Sequence, residues 1–335
     1  MPGTNTDSRF RLALRASMLG TGSTSWMSPR RRWVARIALL LAAASMGAAI
    51  GMTIQGSLET GVRVPFFFSV GIALICFFAY DVLMRIEILE KRAYETEMSV
   101  AAQIQARLFP HELPNEDGLS LAAYHRSARA VGGDYYDVIS LGPGRYLLVV
   151  ADVSGKGVPA AILMASIRAQ IRVLAPRDLS PRTLITYMNE SIHKDTEPSQ
   201  YVTLFFGLVD LDAGTLTYVN AGHVAPLIVG SMGTRRWLST GGLPLGMFSG
   251  RAYEQGTEFF GPGEKLVLYT DGISDVGLGD GMTLSAEQLE ALVIDYRNES
   301  VETLKERILH EVARNRTGAE QPDDVTLLVV TPKAA

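Results

Sequence analysis

The sequence predicts an α+β protein whose sheets are covered by helices, carried behind two membrane-crossing helices and a helical linker. Three observations support this. Two long uncharged runs, 37–54 and 64–80, lie close together near the start of the chain. A segment free of Gly and Pro, 81–109, follows them. From Leu119 onward, short apolar runs separated by turn residues come in hairpin-like groups, and the helical patterns come in pairs. That grouping favours α+β over a regular βαβ alternation.

The bulk properties narrow the partners. The chain has 335 residues and a net charge of -4, so nothing strongly basic points to nucleic acid. Its single cysteine, Cys76, excludes an intramolecular disulfide framework and sits among apolar neighbours that suit packing. Mean hydropathy is +0.14, high for a soluble enzyme, with the excess in the first quarter of the chain.

Residues 1–32 form a basic tail. Arg9, Arg11, Arg15, Arg30, Arg31 and Arg32 face a single acid, Asp7, and the Gly, Ser and Thr content predicts disorder. The runs 37–54 and 64–80 hold 18 and 17 uncharged residues, each near the minimum for crossing a bilayer. Together, within 33–84, they read as a transmembrane hairpin. The competing readings are a signal peptide for the first run and buried core helices for both. The tail in front and the second run behind weaken the signal peptide. Basic residues flank the pair at both outer ends, including Arg85, Lys91 and Arg92, whereas the loop between the runs carries only Arg63. The positive-inside rule therefore puts both ends in the cytoplasm, as expected of a multi-pass protein of a bacterial inner membrane.

The segment 85–110 reads as a helical signalling linker. The Gly- and Pro-free stretch continues the second run as one helix on the order of 40 Å long, stopped by Pro110. Ile86, Leu89 and Ala93, then Val100, Ile104 and Leu108, space an apolar stripe that breaks around Thr96-Glu97. The stripe serves either as a contact with the next domain or as a homodimer interface. Beyond it, 111–335 forms the globular domain. Strands are expected at 119–124, 135–141, 145–152, 201–210, 215–220, 225–229, 265–270 and 325–331. Helices are expected at 158–174, 181–194, 285–297 and 301–314. Asp212-Ala213-Gly214 marks a hairpin turn, and Ser285 with Gln288 a capping box.

Four places put aspartate at the edge of an apolar strand. Asp134 follows Gly132-Gly133, Asp152 ends an apolar run, Asp271 precedes Gly272, and Asp323 with Asp324 precedes 325–330. A lone strand-end aspartate usually caps a turn. Four that converged would repel one another unless a cation lay between them. The five histidines show no HExxH spacing, so all-oxygen ligation implies Mg²⁺ or Mn²⁺ and not zinc.

The motifs GGDYYD, ADVSGKG, NAGH, GLPLG, TDGISD and QPDDVTLLVV occur in that order. In this the chain closely resembles the bacterial SpoIIE/RsbU-type serine phosphatases, a branch of the metal-dependent protein phosphatases (PPM, type 2C). The resemblance covers about residues 99–331. It implies two packed antiparallel β-sheets flanked by helices, a PPM-type αββα sandwich, with two Mn²⁺ or Mg²⁺ ions at one edge. It also implies hydrolysis of phosphoserine or phosphothreonine on a protein partner, in this branch an anti-sigma-factor antagonist of the STAS type. Carried over motif by motif, Asp152 joins both metals with the Val153 carbonyl as a further ligand. Asp271 and Asp323 hold the first metal, and Asp134 contributes at the second. Asp324 lies behind these ligands or exchanges roles with Asp323. Arg129 takes the place of a phosphate-binding arginine, the bland alternative being a surface residue. The histidine that the wider family often carries after the shared aspartate is replaced by Val153-Ser154, so the general acid is unassigned. His223 of NAGH reads more readily as structural than as catalytic.

Two other readings compete. One is a non-catalytic membrane scaffold that binds partner-switching proteins through a phosphatase-like fold, against which the intact aspartates argue. The other takes Gly132-Gly133-Asp134 as part of a diguanylate cyclase signature, which the following Tyr135-Tyr136 does not match.

Overall fold

The computed structural model describes residues 29–54, 60–110, 112–113, 118–177, 179–197, 199–274, 284–315 and 323–333. The predicted tail up to residue 28 and the loop residues 55–59 between the two apolar runs lie outside them. The chain divides into two compact units, Met1–Glu97 and Met98–Ala335.

The first unit is helical. Helix α1 (Pro29–Ile54) takes in the last four residues of the segment expected to be disordered, 29–32, together with the first apolar run, and α2 (Thr60–Ala106) contains the second and carries on through the linker segment. The helix ends three residues before the expected 109, and the second unit begins within it at Met98. Many apolar side chains on these helices have no protein cover: Leu40, Phe68, Ile75 and Phe78 are each about two-thirds or more exposed. Among the described residues, α1 holds a shorter apolar helical stretch at Arg36–Ala48.

The second unit is a four-layer sandwich. One sheet orders β1 (Leu119–Arg126), β11 (Val325–Pro332), β10 (Lys265–Tyr269), β6 (Leu227–Val229) and β7 (Arg235–Trp237). The other orders β2 (Tyr135–Ser140), β3 (Arg145–Val153), β4 (Val202–Asp210), β5 (Thr215–Ala221) and β8 (Gly241–Gly242), with β9 (Gly256–Phe259) also on β5. Every pairing is antiparallel except β5 with β8. The sheet of β3 is covered by α3 (Val158–Leu174) and α4 (Pro181–Asp195); the sheet of β11 by α6 (Ala286–Asp295) and α7 (Val301–Asn315). A single-turn α5 (Asp271–Ser274) follows β10.

Strand alternation builds three cores from two sheets. In β3, Leu147, Val149, Ala151 and Val153 face α3 and α4, whereas Tyr146, Leu148 and Val150 face the other sheet. In β11, Leu328 and Val330 face inward between the sheets while Leu327 and Val329 meet α6 and α7. Burying each such side chain completely is worth about 1.5–3 kcal/mol. This explains why strands covered on both faces read as nearly continuous apolar runs. Helix α3 with its 3₁₀ extension, Val158–Arg177, is apolar and long enough to cross a membrane, yet Met164, Ile167 and Ile171 are fully buried in the core, so it is a core helix.

The eight strands and four helices expected of this domain all form, with ends shifted by two residues at most. The added strands β7, β8 and β9 are short and lack an apolar run, and β7 opens with Arg235-Arg236. The turn after β4 closes through Gly214 at φ 64, and Ser285 with Gln288 makes the reciprocal capping box.

One buried charge ties a sheet to its helix. Asp137 is fully buried on the helix-facing side of β2. The Arg172 guanidinium on α3 donates to it from Nε at 2.9 Å and from Nη2 at 2.8 Å, and the Tyr135 hydroxyl adds a third bond at 2.6 Å. Arg172→Ala leaves that carboxylate without its countercharge. We predict a loss of about 2–3 kcal/mol in urea unfolding, less than for a fully buried pair because the guanidinium is partly hydrated.

Candidate metal centre

The same alternation delivers the aspartates to one place. Asp152 shares its phase with Tyr146, Leu148 and Val150, so it extends the inter-sheet face at the end of β3. Tyr135 pairs with Ala151, which puts Asp134 opposite Asp152 one step beyond the ladder. On the other sheet, Thr326 and Thr270 continue the inward phases of β11 and β10. Asp271 and Asp323 flank these strand ends.

Asp324 is held by backbone amides. Its Oδ1 accepts from the Ala128 amide at 2.7 Å, and its Oδ2 from Gly133 at 2.8 Å and Asp134 at 3.4 Å. A carboxylate thus clamps the loop that presents Asp134. Glycines make the clamp possible. A Cβ on Gly132 would lie 2.1 Å from Asp324 Oδ2, and one on Gly272 would lie 1.8 Å from the Asp324 carbonyl oxygen. A Cβ on Gly133 would meet the Val153 carbonyl oxygen at 2.7 Å, so that oxygen also closes on the loop. From the last turn of α2, Gln105 donates to the Gly132 carbonyl at 2.7 Å and accepts from its amide at 3.0 Å.

The electrostatics are those of crowded anions. Asp134 is 1% exposed, and burial first, then Asp152, raise its pKa well above the ordinary value. Asp152 is pushed up to about 7 by burial and then by Asp271, Asp323 and Asp324. Among the described residues, no three His, Cys, Asp or Glu side chains stand close enough to grip one ion as placed. Asp323 is drawn to Lys156, whose Nζ donates to Oδ2 at 2.8 Å. The donor chemistry nevertheless fits a hard divalent cation: oxygen ligands, mutual repulsion that a cation relieves, and a carbonyl cleared by glycine.

His223 is a tie between the sheets. Its ring meets the Thr203 hydroxyl at 2.9 Å and the Tyr269 carbonyl at 3.1 Å, and its amide donates to Asn220 at 2.7 Å. Both ring nitrogens are engaged, and burial lowers the pKa to about 4, which suits a neutral structural imidazole. Arg129 is exposed, with Nη1 4.0 Å from the position of a Cβ on Gly157, so it stands by the loop that opens α3. That N-terminus, with Gly155 and Gly157 at φ 93 and 79, supplies positive potential nearby. Thr270, Thr326, His125 and Gln105 escaped the sequence reading. For the two threonines a signal existed: a hydroxyl in the inward phase of an otherwise apolar strand.

A family profile described as Stage II sporulation protein E (SpoIIE) matches residues 142–333, more than half of the chain. The chain belongs to this SpoIIE family, the SpoIIE/RsbU-type branch of the metal-dependent protein phosphatases. It is 27% identical over 264 residues to the protein IcfG of Synechocystis sp., covering 70% of this chain and 41% of that protein. It is 25% identical over 240 residues to phosphoserine phosphatase RsbU of Bacillus subtilis, covering 71% of each. The chain thus spans less than half of the one and about seven-tenths of the other. Among solved structures, the RsbU and RsbW domains of Rv1364c from Mycobacterium tuberculosis align with a TM-score of 0.57 at 29% identity, over 65% of this chain and 61% of that one. The SiaA-PP2C domain of Pseudomonas aeruginosa aligns with a TM-score of 0.63 at 20% identity, over 72% and 98%, and shares the fold.

A carboxyl whose pKa is raised by folding binds more protons in the folded state, so its stability contribution is complete below the unfolded value and lost as pH rises through the folded one. For Asp152 that window runs from near 3.8 to about 7. Chelator-treated protein should therefore show a Tm that falls across this window in circular dichroism melts, with a shallower fall in Asp152→Asn. A variant with the parental slope would contradict the crowding described here.

Proposed function

We propose that the chain is a membrane-anchored protein serine/threonine phosphatase that acts on a phosphorylated regulatory partner. The observation that carries this is the convergence of Asp134 and Asp152 from one sheet with the strand ends of Asp271 and Asp323 from the other. In this reading Asp152 would serve both of two Mn²⁺ or Mg²⁺ ions with the Val153 carbonyl as a further ligand, Asp271 and Asp323 would hold the first, and Asp134 would contribute at the second. When bound, such ions supply Lewis acidity and charge neutralisation toward a phosphomonoester. Arg129 orients the phosphoryl group, and the N-terminus of α3 adds favourable potential. Asp324 holds the loop of Asp134 in place and does not itself ligate.

The substrate is phosphoserine or phosphothreonine on a STAS-type anti-sigma-factor antagonist. The names of two relatives support the phosphoserine part of this reading: RsbU and RsbP of Bacillus subtilis are both described as phosphoserine phosphatases. The domain order is a basic cytoplasmic tail (1–32), a transmembrane hairpin (33–84), a signalling linker (85–110) and a phosphatase domain (111–335) in the cytoplasm. The uncovered apolar side chains of α1 and α2 and the distribution of arginines support the hairpin in a bacterial inner membrane. Leu89, Val100 and Ile104 of α2 are 63%, 52% and 60% exposed, which supports homodimerisation through the linker.

Two experiments test this. The full chain in detergent should release phosphate from a phosphoserine protein only with Mn²⁺ or Mg²⁺ present, and Asp152→Asn should lower the rate by more than about a hundredfold, beyond the effect of an indirect metal neighbour. Undiminished release in Asp152→Asn would sink the metal assignment, and absence of Mn²⁺ binding by calorimetry would favour the scaffold reading. Separately, light scattering should find the Leu89→Lys, Val100→Lys double variant monomeric where the parent is dimeric; an unchanged mass would remove the linker interface.

A further inference from the structure

Asp134 reaches the centre from the end of one sheet, yet its side-chain partners stand on the other. Thr326 and Thr270 both donate from Oγ1 to the same oxygen, Oδ2, at 2.6 Å and 2.7 Å. Both are fully buried. The register explains how they meet. His125 pairs with Thr326 across β1 and β11, and Thr270 stands one step beyond the pairing of Tyr269 with Leu327. The three residues form a row across three strands, facing the opposite sheet.

The direction of each bond is fixed. An ionised Asp134, the form a ligand requires, only accepts, so both hydroxyl protons point to it. The Thr326 amide donates to Thr270 Oγ1 at 3.0 Å, which occupies a lone pair there. His125 Nδ1 lies 3.0 Å from Thr326 Oγ1, and Ser127 Oγ lies 3.3 Å from Nε2. The tautomer that serves both contacts carries its proton on Nδ1 and donates to Thr326. Each hydroxyl thus has an N–H behind it and the carboxylate in front.

Were these donors present only to satisfy a buried charge, one on each oxygen would serve best. Both lie on Oδ2, leaving Oδ1 free of donors from that sheet. We propose that Thr326 and Thr270, with His125 behind Thr326, are positioning residues that hold one oxygen of Asp134 so that the other faces the cation site. This rests on the reading of Asp134 as a metal-site carboxylate.

The test is Mn²⁺ affinity of the full chain by titration calorimetry, with a thermal melt of each variant. Thr326→Val keeps the side chain's shape and removes its hydroxyl, and should weaken binding by on the order of tenfold, the effect typical of groups that orient a ligand. Thr326→Ser should restore affinity to near the parent's. The double variant Asp134→Asn, Thr326→Val should bind no more weakly than Asp134→Asn alone, because the threonine acts through that carboxylate. Additive losses, or parental affinity in a folded Thr326→Val, would overturn the proposal. Parental affinity in Asp134→Asn would instead overturn the metal reading beneath it. If Thr326→Val does not fold, Thr270→Val and His125→Phe make the same comparison. The latter keeps a ring against Phe109, on which His125 stacks at 4.2 Å, and withdraws only the outer donor. A smaller loss in His125→Phe supports the row, and unchanged affinity in whichever of the two folds rejects it.

Discussion

The domain is built around like charges held where two apolar sheets end. Burial raises the cost of ionising Asp134 and Asp152; Asp152 adds to that cost at Asp134, and Asp271, Asp323 and Asp324 add to it at Asp152. The surrounding structure answers with fixed donors: two threonine hydroxyls on Asp134, backbone amides on Asp324, and Lys156 on Asp323. The arrangement tolerates the charges without neutralising them fully. An anionic centre of this kind favours a divalent cation, and the SpoIIE-family fold supplies the frame that holds it.

The spacing within one short motif shows how finely strand phase sorts chemistry. Asp134 and Asp137 are three residues apart in GGDYYD, so they lie on opposite faces of the same strand direction. Asp134 points between the sheets toward the centre. Asp137 points to α3 and is consumed by Arg172 and Tyr135 as a structural anchor. Two identical side chains thus take unrelated tasks because the pleat alternates.

Much of this was legible in the sequence. Buried strands announce themselves as apolar runs, and turn glycines mark their ends, so the eight main strands and four helices of the domain could be read directly. The aspartates were legible because charge at the edge of such a run is conspicuous. What escaped depends on register between distant segments. The amides that engage Asp324 lie nearly two hundred positions earlier, and nothing local distinguishes Asp323 from Asp324. Thr326 and Thr270 read as ordinary β-formers until their phases are compared across the sheets. The three short strands escaped because pairing with β5 and β6 holds them, and not any pattern of their own.

Strand β11 carries a further consequence for how the molecule comes into being. It is the last of the described strands, yet it lies between β1 and β10, and the Asp324 just ahead of it secures the loop that precedes β2. During synthesis the Gly-Gly-Asp loop emerges long before the segment that pins it. Until β11 inserts, β1 has no partner in its sheet, and Asp134 has neither its loop clamp nor its Thr326 donor. The centre as described therefore requires β11 to be in place. It is accordingly among the last features that folding can complete.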